Sequence, residues 1–206
     1  MIADNAIDCN ASSLQTDFTT DSKGGDVGDD GKPVDLGVLN RSDRASFVEA
    51  LAEITENSTW VQEAICDLRP FSSVHALWLA MTGAIAMAPE AVQRDMIRHH
   101  PELAGAEAQQ GAMAANSTRE QARLGLTAMS ANDLARLNDL NARYRAKFGY
   151  PCIIALWRHD DMTSIFAAFE ARLRNEPDAE LCANLAEIGE VMRGRLHRLF
   201  TPADVS

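Results

Sequence analysis

The sequence is short of basic charge, of paired cysteines and of long apolar runs, and each shortage closes a class of function. Net charge is −11 over 206 residues, the reverse of the basic surface that nucleic-acid binding needs. Arg193, Arg195 and Arg198 cluster near the C-terminus, but they are too few and too mixed with apolar residues to supply one. No apolar run reaches the roughly 18–20 residues that span a bilayer. The richest, Val74 to Ala88, is interrupted by His75, Thr82 and Gly83 and reads as a buried helix. Met1 to Asn10 carries Asp4 and Asp8 and no basic residue, unlike the charged start of a secretory signal. Asp204-Val205-Ser206 matches no retention or peroxisomal address. The expectation is a cytoplasmic protein with no membrane and no nucleic-acid partner. Cys9, Cys66, Cys152 and Cys182 stand far apart without C-x-x-C spacing, which predicts free thiols in a reducing compartment.

Several chemistries are missing as well. There is no H-E-x-x-H, no Cys/His metal spacing and no phosphate-binding glycine loop. His75, His99, His100, His159 and His197 form no metal set, and no G-x-S-x-G elbow appears. No metal and no organic cofactor are therefore expected. No repeat recurs at a period of 20–50 residues.

What is present is helix. Hydrophobic residues make up 46% of the chain, and its length suffices for one domain with a real core. Residues 1–40 are rich in Asp, Ser, Thr and Gly, hold eight Asp against two Lys, and read as a disordered tail. From Ser42, Phe47, Leu51 and Ile54 fall at helical spacing. Further helices are predicted over Trp60 to Leu68, from Ser72 or Ser73 to Met87, and from Pro89 to His99-His100, where Pro101 disfavours continuation. An irregular link carries Gly105 and Gly111. Helices then run from Ser117 to about Met129, Ser130 to Phe148, Asp160 or Asp161 to Asn175, and Pro177 to about Phe200. Leu181, Leu185, Ile188, Met192, Leu196 and Leu199 mark the buried face of the last. Cys152 to Trp157 is a short apolar run, extended or a buried loop. The predicted fold is all-α, a single non-repeating domain of about eight helices over residues 41–201.

Three constellations could carry chemistry, and each has a plainer explanation. His100, before Pro101-Glu102-Leu103-Ala104, either completes a helix C-terminus, where its charge suits the dipole, or faces a loop-lined cleft to move a proton near neutral pH. Ser117-Thr118-Arg119-Glu120-Gln121 is either a capping box or a helix start that holds an anionic or amide-rich ligand. Arg193 and Arg195 are either solvated or, one of them, turned inward to a carboxylate.

The ordered set of these pieces resembles the OHCU (2-oxo-4-hydroxy-4-carboxy-5-ureidoimidazoline) decarboxylase family over about residues 40–200. The carriers are Trp60-Val61, Arg69-Pro70-Phe71, His100 through Gly105, Ser117 through Gln121, Leu140-Asn141 with Tyr144, Phe148-Gly149-Tyr150-Pro151, Arg172-Leu173 and Arg195-Leu196. The separation of 17 residues from His100 to Ser117 makes the set specific. The resemblance implies that His100 is the proton-transfer histidine and that Pro101 follows it in the substrate site. It implies that Ser117, Glu120 and Gln121 bind the ureido-imidazoline substrate, and that Cys152, Ile153, Ile154, Ala155 and Leu156 line it with backbone. It places Arg195, not Arg193, against the substrate's carboxylate or ring oxygens. The implied activity is cofactor-free decarboxylation to (S)-allantoin in urate breakdown, and the family suggests a homodimer. Cys152 departs from the aromatic usual after the family's Phe-Gly-Phe-Pro motif, and Thr59 replaces a common proline. Two rivals stand beside this reading: an inactive helical binding protein of the same fold, and a hydrolase of a related ureide.

Overall fold

The structure, a computed structural model, describes residues 33–105, 115–126 and 129–200. Residues 1–32 of the expected tail lie outside the described residues. Ten α-helices occur among those described. They are α1 (Leu36–Arg41), α2 (Arg44–Ala50), α3 (Ala52–Thr55), α4 (Trp60–Ile65), α5 (Val74–Met87), α6 (Glu90–Arg98), α7 (Ala115–Arg123), α8 (Ala131–Phe148), α9 (Met162–Arg172) and α10 (Pro177–Leu199). Short 3-10 turns follow α4 and precede α9. Extended pairing among the described residues is limited to one isolated parallel bridge, Val34 with Phe200. No helix among them is long and apolar enough to cross a membrane.

Contacts divide the chain into two compact units, one holding Ala88–Val191 and the other the described residues up to Met87 and from Met192 onward. In the latter, Phe47, Leu51, Val61, Ile65, Leu77, Trp78 and Met81 form a core with almost no exposure. The helix expected after Ser42 breaks at Leu51 (φ −104°, ψ 3°) into α2 and α3. Gln62, fully buried, receives that break: its Nε2 donates to the Leu51 carbonyl at 2.7 Å and to Thr55 Oγ1 at 2.7 Å. Arg69 closes the next corner, donating to the carbonyls of Cys66 and Ser42 with its guanidinium 4.8 Å from the Phe47 ring centroid. The ordered helical segment reaches further back than the expected boundary, since Leu36 and Leu39 of α1 are buried. That extra helix and the break at Leu51 raise the count above eight.

The other unit is built on α8, α9 and the start of α10. Each begins or ends on a residue type suited to the task. Ser130 Oγ accepts from the Asp133 amide at 3.1 Å before α8, and Asp161 Oδ1 accepts from Ser164 at 2.8 Å before α9. Gly149 ends α8 at φ +79°, a left-handed conformation that favours glycine. Tyr144 packs against Phe148 at 4.6 Å and edge-on to Phe169 at 5.6 Å, and with Leu137, Leu140 and Ile165 forms the core. α7 is described from Ala115, so the expected start at Ser117 falls inside the helix, and it ends at Arg123, short of Met129. Gly125, at φ +70°, turns the chain there.

Candidate active site

The first wall of the cleft is made by the end of α6. His99 caps the end of α6, its amide donating to Asp95 O at 3.2 Å, and its exposed ring lies 2.9 Å from the same carbonyl. His100 donates its amide to Ile97 O at 3.1 Å, and its half-buried side chain lines the cleft. The two adjacent histidines therefore differ: one is a surface cap and the other faces the cleft.

The loop after His100 is fixed from three sides. Gln121 Oε1 accepts from the Ala104 amide at 2.9 Å, Asn141 Nδ2 donates to Leu103 O at 3.0 Å, and Arg145 pairs with Glu102 at 2.9 Å. These contacts hold Ala104 at φ +48°, a conformation a non-glycine residue keeps only when its surroundings impose it. Gly105 is needed beside it, because a Cβ there would sit 2.9 Å from Glu102 Cβ.

Ser117, Glu120 and Gln121 share one face of α7 by their i, i+3 and i+4 spacing. Because Ala115 and Asn116 are already helical, Ser117 stands inside α7 and not at the cap of a capping box. Ser117 and Gln121 are buried and Glu120 is half-buried. Gln121 spends its side-chain oxygen on the histidine loop, a supporting contact that its expected role did not include.

The third wall is the run after Pro151. Residues 152–156 are all buried. The Ile153 amide donates to Asn184 Oδ1 at 2.9 Å, the Ala155 amide to Glu187 Oε2 at 2.7 Å, and Arg172 Nη1 donates to Ile153 O at 3.1 Å. Behind the run lies a buried polar group. Glu180, fully buried, pairs with Arg172 at 2.6 Å, accepts from Asn175 at 2.6 Å and accepts from the Tyr144 hydroxyl. Asn184 Nδ2 donates to Tyr144 Oη at 2.8 Å. Burial works against the charge on Arg172, but the bond to Glu180 outweighs it and holds the guanidinium pKa above its ordinary value. Burial first, and Glu180 further, push the Tyr144 hydroxyl pKa up. Burial pushes the Cys152 thiol up to about 12 despite the nearby Arg172.

Together these walls enclose a cleft with about 320 Å³ of space, part of it open to solvent. It brings together His100, Pro101, Ser117, Glu120, Gln121, Cys152, Ile153, Ile154 and Leu156 from the expected set, and adds Leu103 and Val191. Ala155 is fully buried and does not line it. Arg195 belongs to the other unit. It is 2% exposed, lies 3.0 Å from Glu56 and 3.3 Å from the carbonyls of Glu53 and Ile54. Among the described residues no His, Cys, Asp and Glu group is arranged to hold a metal ion. Asn184, Glu187 and Glu180 were not singled out from the sequence. Their signal was there: 180, 184 and 187 form a polar stripe at helical spacing, each one residue before an apolar position of α10.

The cleft thus gathers a histidine, a carboxylic acid and the buried run after Pro151 in an all-helical chain. The chain belongs to the OHCU decarboxylase family, whose model matches residues 40–197. It is 34% identical over 163 residues to a Mus musculus 2-oxo-4-hydroxy-4-carboxy-5-ureidoimidazoline decarboxylase, covering 79% of this chain and 91% of that one. Its fold is similar to a crystal structure of (S)-allantoin synthase (TM-score 0.65, 22% identity, 81% of this chain and 54% of that chain). It is also similar to an OHCU decarboxylase crystallised in the presence of (S)-allantoin (TM-score 0.56, 19% identity, 73% and 97%).

Proposed function

We propose that this chain decarboxylates 2-oxo-4-hydroxy-4-carboxy-5-ureidoimidazoline to (S)-allantoin in urate breakdown, using no metal or organic cofactor. The observation that carries the reading is the gathering of His100 and Glu120 in one cleft with the run after Pro151. The carbon that loses CO2 adjoins a ring C=N, which takes the electron pair left by the departing carboxylate. The pair is quenched by a proton delivered to one face, so the protein need only orient the carboxylate and move a proton. His100 moves it. Glu120 and Ser117 bind the ureido-imidazoline, Gln121 supports them while bracing the histidine loop, and Pro101, Cys152, Ile153, Ile154 and Leu156 shape the wall, with Ala155 buried behind them. Arg195 is assigned to the substrate's carboxylate or ring oxygens by resemblance. Its buried ion pair with Glu56 gives the guanidinium one fixed orientation. A homodimer and a cytoplasmic setting complete the proposal. Buried free thiols at Cys66 and Cys152 support the latter, while Cys182, which is disulfide-bonded, speaks against it and departs from the expectation of free thiols throughout. Cys9 lies outside the described residues.

The test follows the decay of freshly made substrate and the circular dichroism of the allantoin formed. The protein is expected to speed the decay and give one hand of product. His100→Asn should lower turnover by about 10²–10⁴-fold, the range of general acid–base assistance. His99→Asn, altered at the exposed neighbour, should cost little. No acceleration, or a dead His99→Asn beside a fully active His100→Asn, overturns the assignment.

A further inference from the structure

The backbone hydrogen bonds of the run after Pro151 alternate. Ile153 donates its N–H to Asn184 while its C=O accepts from Arg172, and Ala155 donates its N–H to Glu187 while its C=O accepts from the Arg158 amide. Ile154, between them, has no partner for either group among the described residues. Yet Ile154 is 5% exposed and lines the cleft. A buried residue with both backbone groups unused is uncommon, because each unmet group costs free energy. In extended backbone successive residues point their N–H and C=O to opposite sides, and each residue points both of its own to the same side. Asn184 and Glu187 take the amides on either side of Ile154 from the α10 side. In an extended run that alternation would turn the N–H and C=O of Ile154 the other way.

We propose that Asn184 and Glu187 are positioning residues: they clamp residues 153 and 155 so that the Ile154 N–H and C=O stand side by side in the cleft as a matched donor and acceptor for the amide-like edge of a ureide. This rests on the functional reading above and deepens it. A ureido group offers an N–H next to a C=O, the complement of what one extended residue presents. Asn184 does its part from full burial, tied to Tyr144 at its other end. Glu187 does so from the rim, where its side chain is 22% exposed and its second oxygen lies 3.4 Å from Arg158. Neither side chain lines the cleft, so each acts through the backbone.

Glu187 is the residue to test, because its partial exposure lets a truncation fold. Glu187→Ala removes the acceptor for Ala155 and releases one end of the clamp. KM should rise about tenfold, roughly the worth of one displaced hydrogen bond, with kcat within about twofold, as for lost uniform binding. Glu187→Gln keeps an oxygen at that place and should restore KM to within about threefold of the parent. A purely structural role would lower the amount of folded enzyme, and hence kcat, without raising KM, and far-ultraviolet dichroism reports that directly. In parallel, protein carrying 15N-isoleucine is titrated with (S)-allantoin. The Ile154 amide resonance should move in the parent and in Glu187→Gln and move much less in Glu187→Ala, while the Ile153 amide stays. An unmoved Ile154 amide in the parent, or an unchanged KM in Glu187→Ala, overturns the clamp even if turnover is normal. A parent that shifts at Ile154 but does not turn over would instead sink the decarboxylase reading and leave the clamp standing.

Discussion

Cys152 shows how one side chain can line a reactive cleft and still be chemically quiet. It is 2% exposed among Ile153, Ile154 and Tyr144's hydroxyl, and burial pushes its thiol from an ordinary 9.0 to about 12. The folded value lies above the unfolded one. Its contribution to stability is therefore complete below pH 9 and is lost as pH rises from there through about 12. Two outcomes follow at the residue scale. Iodoacetamide at pH 8 should leave Cys152 unlabelled in the native protein and label it after denaturation, read by peptide mass. Cys152→Ala should fold and keep turnover within about tenfold, the loss being packing and not chemistry. Rapid native labelling, or a folded and dead variant, would put the thiol at the centre of the reaction. His100 was legible in the sequence because Pro101 fixes where its helix must stop. What the sequence did not reveal was that His99 would be the surface cap, a distinction set by which way a single turn faces.

At the scale of elements, α10 organises its unit through polar residues. Its apolar stripe was plain from the sequence, and Leu181, Leu185, Ile188, Met192 and Leu196 are all buried as expected. The neighbouring stripe of Glu180, Asn184 and Glu187 was not, because polar residues at helical spacing ordinarily face water, and it is Tyr144, Arg172 and the amides of Ile153 and Ala155 that engage these three. Glu180 also stands in the first turn of α10, where a carboxylate suits the helix dipole. Removing it should be costly. Glu180→Ala leaves Arg172 as a buried charge without its carboxylate, and Tyr144 and Asn175 without an acceptor. Breaking a buried pair in this way costs about 3–5 kcal/mol, on the order of 10 °C in melting temperature for a chain of this size. Calorimetry reads it, and a shift under about 2 °C would mean that water already solvates the cluster. The start of α7 was misplaced for a related reason. Ser-x-x-Glu is a strong local signal, but the contact of Gln121 with the Ala104 amide, 17 residues away, is invisible to any local rule.

Over the whole molecule, the helical spacing of apolar residues and the stop signals between them identified an all-α chain, and the helix breaks fell near Pro70, Pro89, Pro101, Gly149 and Pro177 as expected. The boundary of the N-terminal segment was set too far along. Acidic, glycine-rich composition marks what cannot be buried, but it continues to Asp35, past which Leu36 and Leu39 already enter a core. The two possible cuts should therefore behave differently. A chain lacking residues 1–32, assayed with reductant present, is expected to keep its melting temperature within about 2 °C and its full turnover. One lacking residues 1–41 should lose stability by about 3–6 kcal/mol, the burial of Leu36 and Leu39 that the fold no longer gains. Equal behaviour of both truncations would show that α1 contributes nothing to the fold.

The bridge between Val34 and Phe200, with the Val34 amide 2.9 Å from Leu199 O, has a practical meaning beyond the fold. The polypeptide enters and leaves its helical part at one spot. Two fluorophores placed near residues 33 and 200 would sit together while the chain is folded and separate widely when it is not, so a single colour ratio would serve as a gauge of intactness. By the same proximity, a short loop could splice these two points into a continuous chain, making the molecule a natural candidate for circular permutation.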